Sequence, residues 1–185
     1  MKLLVLDPNF YKSALLMDNK RRAFNHCIVA QKMLSIFENQ ATNTFATVPN
    51  YKVWRDHKDA LKLYFNCLLK VCKEIHNINT KYEYFTDIDE NLEFPPFTDL
   101  TFRSHQAFCI NLDYNLYYPK FSVNEGFNGG ILLWEYNLQK NDENITVVED
   151  FNGVFKREKF DYDKKFIIKD DYDLKEINKE NLTIR

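Results

Sequence analysis

The chain has 185 residues, 45% hydrophobic and 16% aromatic, with 25 Lys+Arg against 27 Asp+Glu and a net charge of −2. That length supports one good core, alone or with an appendage, and the apolar share excludes a disordered chain. No apolar run approaches the roughly 20 residues of a membrane span, and the first six residues are too short for a signal peptide. The expectation is an intracellular, soluble protein with no membrane partner.

The charge is uneven along the chain. Residues 1–81 carry 13 Lys+Arg and 6 Asp+Glu, net +7, whereas residues 82–185 carry 12 and 21, net −9. A basic half joined to an acidic half fits a polyanion-facing surface followed by something different, and fits equally a set of solvated helix faces. Nineteen Lys to 6 Arg, 20 Asn and 4 Gly are what codon drift in an AT-rich genome produces. Cys27, Cys67, Cys72 and Cys109 are scattered without a Cys-x-x-Cys pair or a Cys/His pair at ligand spacing. They are expected as buried reduced thiols, with no metal site and no cofactor.

In chain order, Asp7-Pro8-Asn9 signals a turn and a helix start. Residues 10–37 repeat apolar side chains near a period of 3.6, and Asp18-Asn19 offers a cap for a fresh helix. Residues 39–50 are polar and read as a loop. A second helix is predicted over 51–75, with Val53, His57, Ala60, Leu61, Tyr64, Cys67, Leu68, Val71, Cys72 and Ile75 on one stripe. Its other face carries Lys52, Arg55, Lys62, Lys70 and Lys73. An acidic loop at 87–93 leads through Phe94-Pro95-Pro96-Phe97 to a third helix, begun at Thr98 or Asp99 and ending near Leu112, and Tyr117-Tyr118-Pro119 closes this part. Beyond Gly129-Gly130, residues 131–136, 145–149 and 166–169 read as strands, and Asn152-Gly153 is a hairpin signal. The predicted fold class is mainly α: a compact helical domain of three main helices over 1–125, with a β-hairpin-rich, acidic C-terminal extension over 126–185.

Lys20, Arg21 and Arg22 form the densest cationic cluster, suited to phosphate contact or to a solvated helix face, and Arg suits bidentate phosphate binding best. His105 beside Ser104 is a proton donor or phosphate ligand in a cleft, or a hydrogen-bonded histidine in a helix seam. His57 lies on an apolar stripe and reads as structural. Trp54 and Tyr64 read as core at helical spacing, with base stacking as the alternative. Ser104, His105 and Asp113 make no catalytic triad, because adjacent helix residues point about 100° apart.

Three segments taken in order resemble a known family. They are Lys12-Ser13-Ala14-Leu15-Leu16-Met17-Asp18-Asn19-Lys20-Arg21 with Ala30-Gln31-Lys32-Met33-Leu34; then Val53-Trp54-Arg55-Asp56-His57-Lys58-Asp59-Ala60-Leu61-Lys62-Leu63-Tyr64; then Pro95-Pro96-Phe97, Ser104-His105-Gln106, Asp113 and Tyr117-Tyr118. Together they resemble the bacterial branch of the pyrimidine-dimer DNA glycosylases, the phage endonuclease V-like family, over residues 1 to about 120. The resemblance implies a compact helical domain that grips duplex DNA, removes one base of a dimer and nicks the strand. The nucleophile it implies is the chain's own α-amine, here that of Met1, since Lys2 should prevent removal of the methionine. An α-amine with an ordinary pKa near ~8 is partly unprotonated at neutral pH, unlike a lysine near ~10.4. The resemblance further implies catalytic duty for Met1 and His105, and DNA contact through Lys20, Arg21, Arg22, Arg55 and Ser104.

The chain departs from the family pattern at charged positions. The glutamate that follows the Lys-Arg element falls on Ile28, and its basic stretch becomes Phe24-Asn25-His26. Phe45-Ala46-Thr47-Val48-Pro49 replaces an element containing Trp, Arg and His, and Asn111-Leu112 replaces an Arg-Lys pair. The expected function is therefore a DNA-interacting protein, a glycosylase and lyase if active, with a degenerate site as its natural form. The competing expectation is a non-catalytic binding or structural module that keeps the fold. A protein partner for the acidic tail is a further expectation.

Overall fold

The computed structural model describes residues 2–17, 20–38, 49–121, 131–137, 144–150, 155–157 and 172–184, the strands and Pro49 by backbone alone. The fold is mainly α. The chain divides into two compact units, Met1–Pro95 with Asp173–Arg185, and Pro96–Tyr172.

In the first unit, helix α1 (Phe10–Leu16) begins where the sequence signals it. The Asn9 side chain accepts from the Lys12 amide at 3.0 Å and so satisfies one orphan donor of the first turn. Helix α2 spans Lys20–Glu38. The expected cap at Asp18-Asn19 lies outside the described residues, as does the predicted loop up to residue 48.

The long second helix of the prediction is two helices. Helix α3 (Pro49–Arg55) stops before Asp56-His57, and helix α4 (Lys58–Lys70) starts after it. His57 leaves the helical region at φ −129° and ψ 51°, and its Nδ1 bonds the Glu93 carbonyl at 3.2 Å. A side chain engaged outside the stripe holds the break open. A π-helical turn, Val71–Ile75, extends α4 and ends at Asn77, whose φ of 53° is a left-handed value asparagine tolerates.

Helix α4 is the axis of this unit. From Ala60 to Leu69 every residue except Lys62 is buried, the mark of a helix enclosed on all faces. It packs against α1, α2, α3 and a 3₁₀ turn at Lys179–Thr183. Phe10, Trp54 and Tyr64 form its aromatic heart. The Phe10 and Tyr64 centroids lie 4.9 Å apart, and the Trp54 and Tyr64 rings stack at 6.0 Å with 6° between planes. Burying one such ring contributes about 1.5–3 kcal/mol. The four cysteines are buried and free, as the sequence suggests, and burial pushes the Cys72 thiol up to about 11.

The end of the chain corrects the sequence expectation. Instead of finishing a β-leaning extension, it forms α7 (Leu174–Ile177) and the 3₁₀ turn, and it belongs to the first unit. Local chemistry explains this. Asp173 caps α7 by accepting from the Glu176 amide at 3.1 Å. The buried Asn178 accepts from the Phe10 amide at 2.7 Å and donates to Pro8 O at 2.9 Å and Leu174 O at 2.8 Å. One asparagine thereby binds the two ends of the chain together, which periodicity within either end cannot announce.

The second unit holds α5 (Asp99–Leu112), the predicted third helix, with Thr98 before it. Helix α6 (Tyr114–Phe121) follows, capped by Asp113, which accepts from the Leu116 amide at 3.3 Å. Pro119 reads as a stop but sits inside α6. The carbonyl left without an amide is that of Asn115, an exposed residue, so water can satisfy it. Strands β1 (Ile131–Asn137), β2 (Asn144–Asp150) and β3 (Phe155–Arg157) pair antiparallel in that order, with Trp134 opposite Val147 and Val148 opposite Lys156. Helix α5 lies against β1. The predicted strand at 166–169 and the turn at Asn152-Gly153 lie outside the described residues. Among the described residues no helix is long and apolar enough to cross a membrane.

Candidate functional site

The cationic cluster sits at a definite place. Lys20, Arg21 and Arg22 are the first three residues of α2, the first two exposed and Arg22 half-buried. The first turn of α2 contains no acidic residue, so three cations stand where the orphan amides and the helix dipole are already positive. Among the described residues Lys20 and Arg21 have no ion-pair partner. Successive positions turn by about 100°, so the three side chains fan around the helix start instead of forming one fork.

Further along α2 the chemistry becomes neutral. His26 is buried, donates from Nδ1 to the Arg22 carbonyl at 2.9 Å, and leaves Nε2 without a partner among the described residues. Burial, and then the nearby Arg22 charge, lowers its pKa from 6.5 to about 4, although the backbone bond opposes that shift. The ring is uncharged at neutral pH and adds no cation to the cluster. Ile28, where the resemblance implies a glutamate, is half-buried two residues on, and α2 contains no carboxylate before Glu38.

Met1 lies outside the described residues. The segment after it is core: Leu3, Leu4, Val5 and Leu6 are all buried. Tyr64 Oη donates to Leu4 O at 2.6 Å, and Ser13 Oγ, 3.0 Å from Tyr64 Oη, accepts from the Leu6 amide at 2.8 Å. Since Tyr64 spends its proton on Leu4, Ser13 must donate to Tyr64. The resemblance places Ser13 and Tyr64 among its matching residues, and here both serve to anchor this first segment. Trp54 is core as well. Arg55 is exposed at the end of α3 and pairs with Asp56 at 3.2 Å.

Ser104 and His105 are in the other unit, and both are buried. Ser104 Oγ donates to the Thr101 carbonyl at 2.9 Å, the back-bonding of a helix serine. Both side chains are buried in this arrangement, so the expected DNA contact of Ser104 is not one that its present position displays. Asp113 is the α6 cap. The structure thus gathers Lys20, Arg21 and Arg22 at one helix start, and assigns Arg21 and His105 to separate units.

Division by unit also redraws the charge map. The first unit has 16 Lys+Arg against 14 Asp+Glu, net +2, and the second has 9 against 13, net −4. The acidic stretch at 82–94 belongs with the basic helix, and the chain end that joins them is charge-balanced, so the strongly basic half exists along the sequence and not as a body. Sequence reasoning placed Lys62 on the polar face of its helix and passed over Asn66, and together the two grip residues 85–87. Asn66 is a polar residue on an otherwise apolar helix, and that was the available signal. Comparison with family models, with curated proteins and with solved structures finds no match for this chain.

Proposed function

We propose that this chain is a DNA-interacting protein of pyrimidine-dimer glycosylase descent whose active site has degenerated, with the start of α2 as its phosphate-contacting surface. The observation that carries the proposal is the placing of Lys20, Arg21 and Arg22 on the first turn of a 19-residue helix. There each cation opposes the helix dipole at a cost of about 0.3–1 kcal/mol, which the fold has no reason to accept. A phosphate at that spot would meet amide donors and guanidinium groups together. The degenerate character follows from Ile28 and from the neutral His26, which leave α2 without the carboxylate and the extra cation of the family pattern. The expected protein partner of the acidic stretch beyond residue 126 belongs to the same proposal.

A second reading is a non-catalytic module that keeps the fold and binds no DNA. The burial of Ser104 and His105 and the small net charge of the first unit favour it. Electrophoretic titration of duplex DNA across a salt series separates the two. The DNA reading expects saturable binding whose salt slope falls by about 1.8 when Lys20 and Arg21 are both changed to alanine, at about 0.9 per phosphate contact. An unchanged slope, or no shifted complex, sinks it. Borohydride treatment on abasic duplex then tests the degeneracy: the proposal expects no trapped adduct, and an adduct through the α-amine would restore the enzyme reading.

A further inference from the structure

Residues 77–95 cross the first unit with little regular structure, yet one stretch is held in line. Two side chains one turn apart on α4 grip it. Asn66 takes both backbone groups of Phe85, donating to its carbonyl at 2.8 Å and accepting from its amide at 2.9 Å. Lys62 Nζ reaches the Asp87 carbonyl at 3.2 Å and its carboxylate at 2.8 Å, which holds that carboxyl below its ordinary range. In an extended chain, successive carbonyls turn to opposite edges. With residues 85 and 87 turned to α4, the backbone groups of Tyr84, Thr86 and Ile88 face the other way. Among the described residues those groups have no hydrogen-bond partner. These groups make an open backbone edge of the kind an added strand can pair with.

That edge borders a groove of about 670 Å³. Phe85, Thr86, Ile88 and Glu90 line one side, and Asp173, Glu176 and Leu182 line the other. Asn66, fully buried, also donates to the Ile184 carbonyl at 3.1 Å, so one amide fastens both walls. The groove therefore exists before anything enters it, which lowers the ordering cost of binding.

Charge selects the occupant. Residues 82–94 contain Glu83, Asp87, Asp89, Glu90 and Glu93 with no Lys or Arg. Lys62 neutralises Asp87, and Lys179 pairs with Glu176 at 3.7 Å. Among the described residues of the groove, Glu90 and Asp173 then lack an ion-pair partner against the single cation Lys175. Such a rim repels nucleic acid and attracts cations.

We propose that this groove binds an extended basic segment of a partner protein, which adds as a strand to residues 84–88 and seats apolar side chains beside Ile88. At about 3.3 Å per residue the open edge accommodates a segment of about five or six residues. The site is independent of the α2 surface, and its test does not involve DNA.

The probes are two acetylated hexapeptides, one alternating Lys and Val and one alternating Glu and Val, titrated into the full chain with amide hydrogen exchange as the readout. The basic peptide is expected to bind at least tenfold tighter and to protect the amides of Thr86 and Ile88. Glu90→Lys, at an exposed position, should lower that preference at least threefold. Thr86→Pro deletes an amide the fold leaves unpaired and should abolish binding while the circular dichroism spectrum is kept. Should Thr86→Pro unfold, Glu90→Lys still decides. Equal binding of the two peptides, no saturation by millimolar peptide, or binding without protection of these amides overturns the proposal. Protection that deepens with protein concentration and without peptide also overturns it, because the occupant is then a second copy.

Discussion

The two units solve the same problem with different materials. In the first, a helix enclosed on all faces carries two polar side chains, Asn66 and Tyr64, that fasten non-helical chain to it. Asn178 adds a clamp between the chain's two ends. In the second, α5 lies on β1 and α6, and its polar fastening is at the helix start. There Asp99 accepts from Tyr172 at 3.0 Å and meets Arg103 at 3.5 Å. Among the described residues the fully buried fastenings of the first unit are neutral amides and hydroxyls on backbone groups, with Lys62 adding a charged grip nearer the surface, whereas in the second Asp99 joins two side chains and Ser104 bonds a backbone carbonyl. Neutral buried bonds are insensitive to salt and unforgiving of deletion, because a backbone group left unpaired keeps its full desolvation cost.

The sharpest way to break this comparison is Asn66→Leu. Three backbone bonds are lost together, and a destabilisation of about 3 kcal/mol is expected in urea unfolding, given about 1–3 kcal/mol per stranded buried group. A loss below about 1 kcal/mol would show that the clamp is decorative. The same variant should raise hydrogen exchange at residues 84–88 without altering α5.

A second test uses acid. His26 has a folded pKa of about 4 against 6.5 unfolded, so the unfolded chain binds the proton more tightly. The contribution of its neutral form is complete above pH 6.5 and is lost as pH falls toward 4, by about 3 kcal/mol over that span. Urea midpoints measured from pH 7 to 4 should fall more steeply for the native chain than for His26→Gln. Parallel curves would mean that the ring does not stay neutral in the fold.

In the second unit, Asp99→Ala is expected to cost about 1–2 kcal/mol, less than the Asn66 clamp, since one partner is a tyrosine that can turn to water. Exchange at α5 should rise while exchange at α4 is unchanged. The smallest effect has the opposite sign. Lys20→Glu should stabilise α2 by about 0.3–1 kcal/mol, because an acid replaces a cation at the positive end of the helix. It should weaken duplex binding in the same preparation, and a stability gain with binding retained would remove Lys20 from the proposed surface.

Much of the helical content was legible in the residues. The apolar period over 10–37 and 51–75 placed α1, α2 and α4, and the burial of Tyr64, Cys27, Cys67 and Cys72 follows from those stripes. Asp7-Pro8-Asn9 marked the first helix start, and Thr98-Asp99 marked α5. Local signals suffice for these because a helix and its cap are built from neighbours within four residues.

Breaks and attachments were not legible. Nothing near His57 announces that Glu93, 36 positions away, will hold its ring and part α3 from α4. Nothing in the acidic tail announces that Asn178 will reach Pro8 and Phe10, or that residues 173–185 will share a unit with α2 and leave the strands behind. The candidate site divides along the same line. Sequence alone determined the cations of Lys20, Arg21 and Arg22 and the apolar Ile28, because residue type carries charge wherever the chain goes. Only the tertiary structure decided that these cations start a helix, that Ser104 and His105 face inward, and that the basic and acidic stretches share one unit. Burial and long-range hydrogen bonds join residues that no local pattern relates.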